Sequence, residues 1–201
     1  MYDLIYDKDV GKMIWIGGCM FGGKTTKMIE YVKQYNLLGL NTIIIKKKSV
    51  NEKNDIRGEE KCDTVVTHSG NNASCVRVNK LFDLENDINK YDVFGIDDAH
   101  FYKDDLIPFC KMIVETYNKI VIVAGLITDF NKDPFQHVVD LSSKADVIHH
   151  ERSICLLCKH NFACFSYKKI EFNKSNKFEV GGEEMYGSAC RKCYERVTKK
   201  R

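Results

Sequence analysis

The sequence has no apolar run that approaches the roughly 20 residues a helix needs to cross a membrane. Its first ten residues carry acidic side chains where a secretory signal would carry basic residues followed by an apolar core. The sequence therefore predicts a cytoplasmic protein that makes no membrane contact.

The sequence also has no strong excess of charge of one sign. Its 31 Lys and Arg residues nearly balance 28 Asp and Glu residues, and no stripe of basic and aromatic residues accompanies the net charge of +3. Proteins that bind nucleic acid normally show such a patch, so we expect no nucleic-acid partner. Internal repeats and low-complexity tracts are absent as well, which favours one globular domain or one domain with a small appendage.

Cysteine is abundant, with nine residues, but the odd number argues against a disulfide framework in a reducing compartment. Four of the cysteines form two C-x-x-C pairs, a spacing that suits a closed tetrahedral Zn²⁺ site of structural type. Four free thiols are the alternative, and His160 is a weaker rival as a ligand. The predicted zinc ligands are Cys155, Cys158, Cys190 and Cys193, and the cysteines expected to act as small apolar residues are Cys19, Cys62, Cys75, Cys110 and Cys164.

A glycine-rich stretch near the N-terminus lies between a predicted strand at 13–16 and a predicted helix at 26–38. Residues 18–25 fit the phosphate-loop pattern G-x-x-x-x-G-K-[ST], in which backbone N–H groups and the helix N-terminus surround phosphate oxygens. Lys24 would contact the outer phosphates and the Thr25 hydroxyl would bind Mg²⁺. A plain glycine turn before a helix is the alternative. The predicted ATP-binding residues are Gly18, Cys19, Met20, Phe21, Gly22, Gly23, Lys24, Thr25 and Thr26.

Further along the chain, apolar strands alternate with amphipathic helices, which predicts an α/β fold with a parallel sheet and helices on both faces. Strands are predicted at 40–45, 64–67, 75–78, 91–96 and 119–124, helices at 81–89 and 103–117, and a long mobile loop at 49–63. Ligands of such sheets bind beyond the C-terminal strand ends, so the loops at Gly18, Lys46, Asp97 and Gly125 should converge. Asp97 would then complete the Mg²⁺ site that Thr25 begins.

These motifs together resemble the type II thymidine kinases, the family of the cellular cytosolic enzyme and of poxviral thymidine kinases. The resemblance extends from about residue 12 to residue 194. It is carried by the phosphate loop, by Ile45-Lys46, Asp55-Ile56-Arg57, Thr67-His68, the segment 96–101, the segment 130–135, Gly181 to Tyr186 and both cysteine pairs.

The resemblance implies a RecA-like P-loop domain over residues 1–150 and a zinc-binding β lasso module over 151–201 that closes over the nucleoside. It implies transfer of the γ-phosphoryl group of ATP, with Mg²⁺, to the 5′-hydroxyl of thymidine to give dTMP for DNA precursor synthesis. It also implies a homotetramer, feedback inhibition by thymidine triphosphate, and a host-cytoplasmic location if the source is viral. Arg57 would contact the phosphates during transfer.

The resemblance further implies a nucleoside pocket with apolar walls, in which Ser166 lies near the 5-substituent of the pyrimidine. Backbone groups of the lasso would read the edge of the base, and the zinc module would hold that backbone in place. The residues assigned in this way are Met20, Phe101, Leu126, Phe130, Phe135, Ser166, Val180, Gly181, Gly182 and Tyr186.

Two positions depart from the family pattern. The family has a glutamate as general base where this chain has Asp98, which is one methylene shorter. A displacement of about 1 Å at a reacting group can cost on the order of a hundredfold in rate. The family's L-D-G-T-F also stands here as Leu126-Ile127-Thr128-Asp129-Phe130, which predicts a stiffer loop beside the pocket.

Two alternative functions follow from these observations. The departures allow a catalytically impaired nucleotide-binding relative that keeps the fold but lacks an effective base. A P-loop ATPase acting on nucleic acid through a zinc ribbon is the other alternative, and the nearly balanced charge argues against it.

Overall fold

The computed structural model describes residues 7, 9–48, 63–66, 72–169 and 184–198. Four predicted site residues, Arg57, Val180, Gly181 and Gly182, lie outside the described residues. The same holds for Cys62 and for residues 49–62 of the predicted mobile loop.

A seven-stranded sheet forms the centre of the described structure, in the order β3-β4-β2-β5-β6-β1-β7. Neighbouring strands are parallel, except that β3 runs antiparallel to β4. The predicted parallel α/β sheet is therefore confirmed. Its strands are β1 (Lys12–Gly18), β2 (Thr42–Lys47), β3 (Asp63–Val66), β4 (Asn72–Val78), β5 (Val93–Ile96), β6 (Ile120–Leu126) and β7 (Val147–Glu151).

Apolar side chains cover both faces of this sheet because successive strand residues point to opposite sides. On one face Ile14 of β1 packs in a cluster with Met28 and Tyr35 of helix α1 (Lys24–Leu37). On the other face Trp15 joins Phe109 and residues of the helices that follow β5 and β6. Those helices are α2 (Leu106–Lys111) and α3 (Gln136–Ser142).

Two segments that were predicted as helices are helical in the structure, but not as continuous α-helices. Residues Leu81–Lys90 form a 3₁₀ helix, whose buried Leu81, Leu84 and Ile88 have a spacing that also fits an α-helix. Helix α2 begins later than expected and continues as a π-helical turn, Met112–Thr116. In the described part of the chain no helix combines the length and apolarity required to cross a membrane.

The last strand of the sheet, β7, lies beside β1 and extends the sheet to Glu151. Sequence analysis predicted no strand here, because this edge strand alternates half-buried and exposed residues and lacks the continuous apolar run of the central strands. Its backbone is nevertheless important for the first loop. A side chain at position 18 would place its Cβ atom 2.1 Å from the Glu151 carbonyl oxygen, so only glycine fits there.

Smaller elements follow Glu151 and pair outside the seven-stranded sheet. We refer to the described residues 152–169 and 184–198 as the C-terminal module, whose buried cluster also includes Cys19 from the loop after β1. One antiparallel pair joins β8 to β9, a second joins β10 to β11, and a short helix ends the described chain. These elements are β8 (Ser153–Ile154), β9 (Phe162–Ala163), β10 (Phe165–Lys168), β11 (Tyr186–Ala189) and α4 (Arg191–Thr198).

We predict that Gly18→Ala destabilises the protein by about 2–3 kcal/mol, because the new methyl group would overlap the Glu151 carbonyl and force β7 away from β1. Gly39→Ala is the matched control. Gly39 also has a positive φ, of 84°, but nothing lies within 4 Å of the added Cβ, so its cost should be about 1 kcal/mol. Urea unfolding of both variants measures the difference, and equal losses would contradict the proposed overlap.

Candidate active site

The loop after β1 has the backbone form expected of a phosphate loop. Gly23 adopts a left-handed conformation with φ 84° immediately before α1 begins at Lys24. The Lys24 ammonium donates a hydrogen bond of 2.7 Å to the Cys19 carbonyl across this loop. Burial lowers the pKa of Lys24, although the nearby charge of Asp98 opposes that effect. The N-terminus of α1 and the lysine therefore face the same space, where phosphate oxygens would be favoured.

A candidate magnesium site lies where α1 meets the end of β5. The Thr25 hydroxyl donates a hydrogen bond of 2.9 Å to Asp97 Oδ1. The N–H of Asp97 donates to the Ile45 carbonyl, which places this residue at the strand end. Burial, followed by the charge of Asp98, raises the pKa of Asp97 to about 6. A hydroxyl and a carboxylate oxygen at this distance suit Mg²⁺, which prefers hard oxygen ligands and phosphate oxygens.

Lys46, at the end of β2, contacts both acidic residues. Its ammonium lies 3.4 Å from Asp97 Oδ2 and 3.6 Å from Asp98 Oδ2. Burial disfavours the charged lysine, but the two carboxylates outweigh it, so the pKa of Lys46 is raised. The structure therefore places a cation between the predicted metal ligand and the predicted base.

Asp98 is the more accessible member of the acidic pair, with 38% of its side chain exposed against 2% for Asp97. Its backbone is left-handed, with φ 51° and ψ 42°. Aspartate tolerates this conformation better than most non-glycine residues because its short side chain bonds locally to the backbone. A longer glutamate at the same position would meet a backbone conformation that suits it less well.

Three of the predicted pocket residues surround a buried histidine. The ring of His100 lies 4.1 Å from that of Phe101 and 5.2 Å from that of Phe135, measured between centroids. Leu126 donates its N–H to His100 Nδ1 at 3.4 Å. Burial lowers the pKa of His100 to about 3, so the neutral ring accepts this hydrogen bond while it packs among these side chains.

The altered loop at 126–135 is closed by its own aspartate. Asp129 Oδ1 accepts hydrogen bonds from the N–H groups of Asn131 and Asp133, at 2.8 and 2.9 Å. Ile127 packs against the core on the Trp15 side of the sheet. These contacts determine the position of Phe130 in the loop. The stiffness expected of this loop stays a prediction.

The C-terminal module contacts the phosphate loop directly. Met20 donates its N–H to the Ser166 hydroxyl at 3.0 Å, and the Cys19 thiol donates to the Ala163 carbonyl at 3.5 Å. Phe130 and Tyr186 lie 6.1 Å apart between ring centroids. The described pocket residues thus form local groups on both sides of the site: Phe101, Leu126 and Phe135 around His100, Phe130 with Tyr186, and Met20 with Ser166.

The four cysteines of the two C-x-x-C pairs come together within the module. Their Sγ atoms all lie within 4.8 Å of one another. Zn–S bonds of about 2.3 Å in a tetrahedron require sulfur atoms about 3.8 Å apart, so the cluster fits Zn²⁺ with little adjustment. Backbone N–H groups of His160 and Asn161 lower the pKa of Cys158 to about 6, which favours the thiolate.

The other cysteines divide into two groups. Cys19, Cys75 and Cys110 are buried, and burial raises the pKa of Cys19. Cys164 is exposed, so it does not serve as the small apolar core residue that we expected. Its position after the two-residue strand β9 turns the side chain outward, whereas the neighbouring Ala163 faces the module core.

The sequence of the chain matches known proteins over nearly its whole length. A family model described as thymidine kinase matches residues 11–194. The chain belongs to the thymidine kinase family. A thymidine kinase of Choristoneura biennis entomopoxvirus is 37% identical over 183 residues, covering 89% of this chain and 94% of the viral protein. Thymidine kinase 1 of Dictyostelium discoideum is 34% identical, over 95% of this chain and 81% of that protein. A thymidine kinase of the bacterium Pseudothermotoga lettingae is 29% identical, over 94% and 98%.

Sequence analysis of this thymidine kinase family member assigned no individual role to four residues of the site. Three of them, Lys46, His100 and Asp129, lie within segments that were compared with the family pattern, and Lys46 was also expected where the loops converge. No motif distinguishes Tyr194, whose phenol contacts the Phe130 carbonyl 64 residues away. Local patterns thus gave a signal for the first three residues and none for Tyr194.

We predict that the protein binds one zinc ion per chain and that Cys158→Ser lowers both its zinc content and its unfolding temperature, the latter by several degrees. Cys164→Ser, which changes an exposed cysteine outside the cluster, should alter neither. Metal analysis of protein expressed with added zinc, together with thermal unfolding, measures both quantities. Protein free of zinc under these conditions would contradict the assignment.

Proposed function

We propose that this chain transfers the γ-phosphoryl group of ATP to the 5′-hydroxyl of thymidine, producing dTMP and ADP. The observation that carries the proposal is the contact of Thr25 with Asp97, next to Lys24, Lys46 and Asp98. The glycine loop after β1, a candidate cation site and the partly exposed carboxylate of Asp98 thereby lie together at one end of a parallel sheet, in a chain of the thymidine kinase family.

In this proposal the chain's own groups position and neutralise the triphosphate. The loop N–H groups and Lys24 would hold the phosphate oxygens, and Thr25 and Asp97 would hold Mg²⁺. An ion held there would supply positive charge that offsets the negative charge of the phosphate oxygens during transfer. Lys46 keeps the two carboxylates in place against their mutual repulsion. Most of the catalytic effect of such a site comes from position and electrostatics.

Asp98 is the proposed general base. It accepts the proton of the 5′-hydroxyl as the bond from the 5′ oxygen to the γ phosphorus forms and the bond from that phosphorus to the bridging oxygen of ADP breaks. The left-handed backbone and the Lys46 contact hold the carboxylate in one direction. We propose that this fixed orientation compensates for the methylene that a glutamate would add.

The remaining assignments support this reaction as proposals. The apolar residues around His100 and the pair of Phe130 and Tyr186 would enclose the nucleoside, with Ser166 near the 5-substituent. Arg57 and the backbone at 180–182 would contact phosphate and base. We also propose the division into domains after residue 150. The homotetramer and inhibition by thymidine triphosphate rest on the family resemblance alone.

The proposal predicts formation of dTMP by the zinc-loaded protein with Mg-ATP and thymidine. We expect Asp98→Asn, which keeps the size and removes the base, to lower kcat by about 10²–10⁴-fold. Asp98→Glu should retain measurable turnover and lose about 1 kcal/mol of stability through its backbone conformation. Chromatographic measurement of dTMP, with calorimetric titration of Mg-ADP, separates catalysis from nucleotide binding.

A protein that binds Mg-ADP and forms no dTMP would overturn this proposal. Activity that appears only in Asp98→Glu would identify a nucleotide-binding relative disabled at one position. Full activity in Asp98→Asn would show that another group accepts the proton.

A further inference from the structure

The phenol of Tyr194 donates a hydrogen bond of 2.7 Å to the carbonyl of Phe130. Tyr194 is buried, with 5% of its surface exposed, and belongs to the C-terminal module, whereas Phe130 belongs to the loop that follows β6. This bond therefore joins two parts of the chain that meet at the proposed nucleoside pocket.

The four-cysteine cluster determines where Tyr194 lies. Tyr194 directly follows Cys193, and its N–H donates to the Cys190 carbonyl at 2.9 Å. Its ring packs in the same buried cluster as Cys155 and both of these cysteines. A metal ion that holds the four sulfur atoms consequently restrains the turn of α4 from which Tyr194 projects.

The loop at 126–135 makes a second contact with this tyrosine. The ammonium of Lys132 lies 4.1 Å from the centroid of the Tyr194 ring and 4.6 Å from that of Phe165. The two rings are themselves 5.4 Å apart. Because Phe130 and Lys132 lie within the turn closed by Asp129, both contacts restrain the tip of one loop.

The ring of Phe130 lies near a second residue of the proposed nucleoside pocket. This ring lies 6.1 Å from that of Tyr186, on the strand that leads to Cys190. The carbonyl held by Tyr194 and the ring that would contact the nucleoside belong to the same residue. A change at the carbonyl is therefore transmitted to the ring without an intervening flexible segment.

We propose that Tyr194 is a positioning residue that couples occupancy of the four-cysteine site to nucleoside affinity. The metal holds Cys190 and Cys193, these hold Tyr194, and Tyr194 sets the position of Phe130 at the pocket. This inference rests on the proposed function for the identity of the nucleoside, but the coupling between the metal and the loop does not depend on catalysis.

The test is Tyr194→Phe, which removes the donor and keeps the ring. We expect the KM for thymidine to rise about five- to tenfold, as for the loss of one buried hydrogen bond, with kcat, the KM for ATP and zinc content nearly unchanged. Tyr117→Phe, at an exposed tyrosine far along the chain from the module, is the matched control and should change none of these values.

A second readout needs no activity. Hydrogen exchange of the amides in 126–135, followed by mass spectrometry, should be faster in zinc-loaded Tyr194→Phe than in the zinc-loaded wild type. Removal of zinc from the wild type should produce the same acceleration in this loop. An unchanged exchange rate in zinc-loaded Tyr194→Phe, or a protein that binds no metal at its cysteines, would overturn the coupling. Absence of kinase activity with the expected exchange behaviour would overturn only the proposed function.

Discussion

The hydrogen bond from Thr25 to Asp97 is the constraint on which the rest of the site depends. It joins the first turn of α1 to the end of β5, two elements that the parallel sheet and its apolar packing bring together. Burial makes Asp97 costly to ionise, and Lys46 offsets part of that cost. A buried carboxylate beside a lysine and a hydroxyl is an arrangement that a divalent cation with phosphate oxygens would stabilise further.

A second constraint acts from the C-terminal module, which contacts both loops that border the site. Ser166 and the Ala163 carbonyl accept hydrogen bonds from the phosphate loop, and Tyr194 reaches Phe130 in the loop after β6. The described strands of this module have two to four residues each, so a metal ion held by the four cysteines would add order to a small packed core. In our proposal, the position of the loop after β6 depends on the cysteine cluster.

Sequence patterns predicted the parts of this structure that local periodicity and motif spacing determine. The parallel sheet, α1 after the glycine loop, and the meeting of both cysteine pairs follow from such patterns. The 3₁₀ form of the helix at Leu81–Lys90 could not be predicted, because buried residues three and four positions apart fit a 3₁₀ helix and an α-helix equally. Contacts between distant segments, such as Lys46 with Asp98 or Tyr194 with Phe130, depend on tertiary packing that no local pattern encodes.

The central claim is that Thr25 and Asp97 form a single cation site. It is tested most directly by a double-mutant cycle on nucleotide affinity, using Thr25→Val, Asp97→Asn and the double variant, with calorimetric titration of ADP. With Mg²⁺ present, we predict losses that are not additive, with a coupling above about 1 kcal/mol, and little coupling when Mg²⁺ is replaced by a chelator. Additive losses, or the same coupling without Mg²⁺, would contradict the claim.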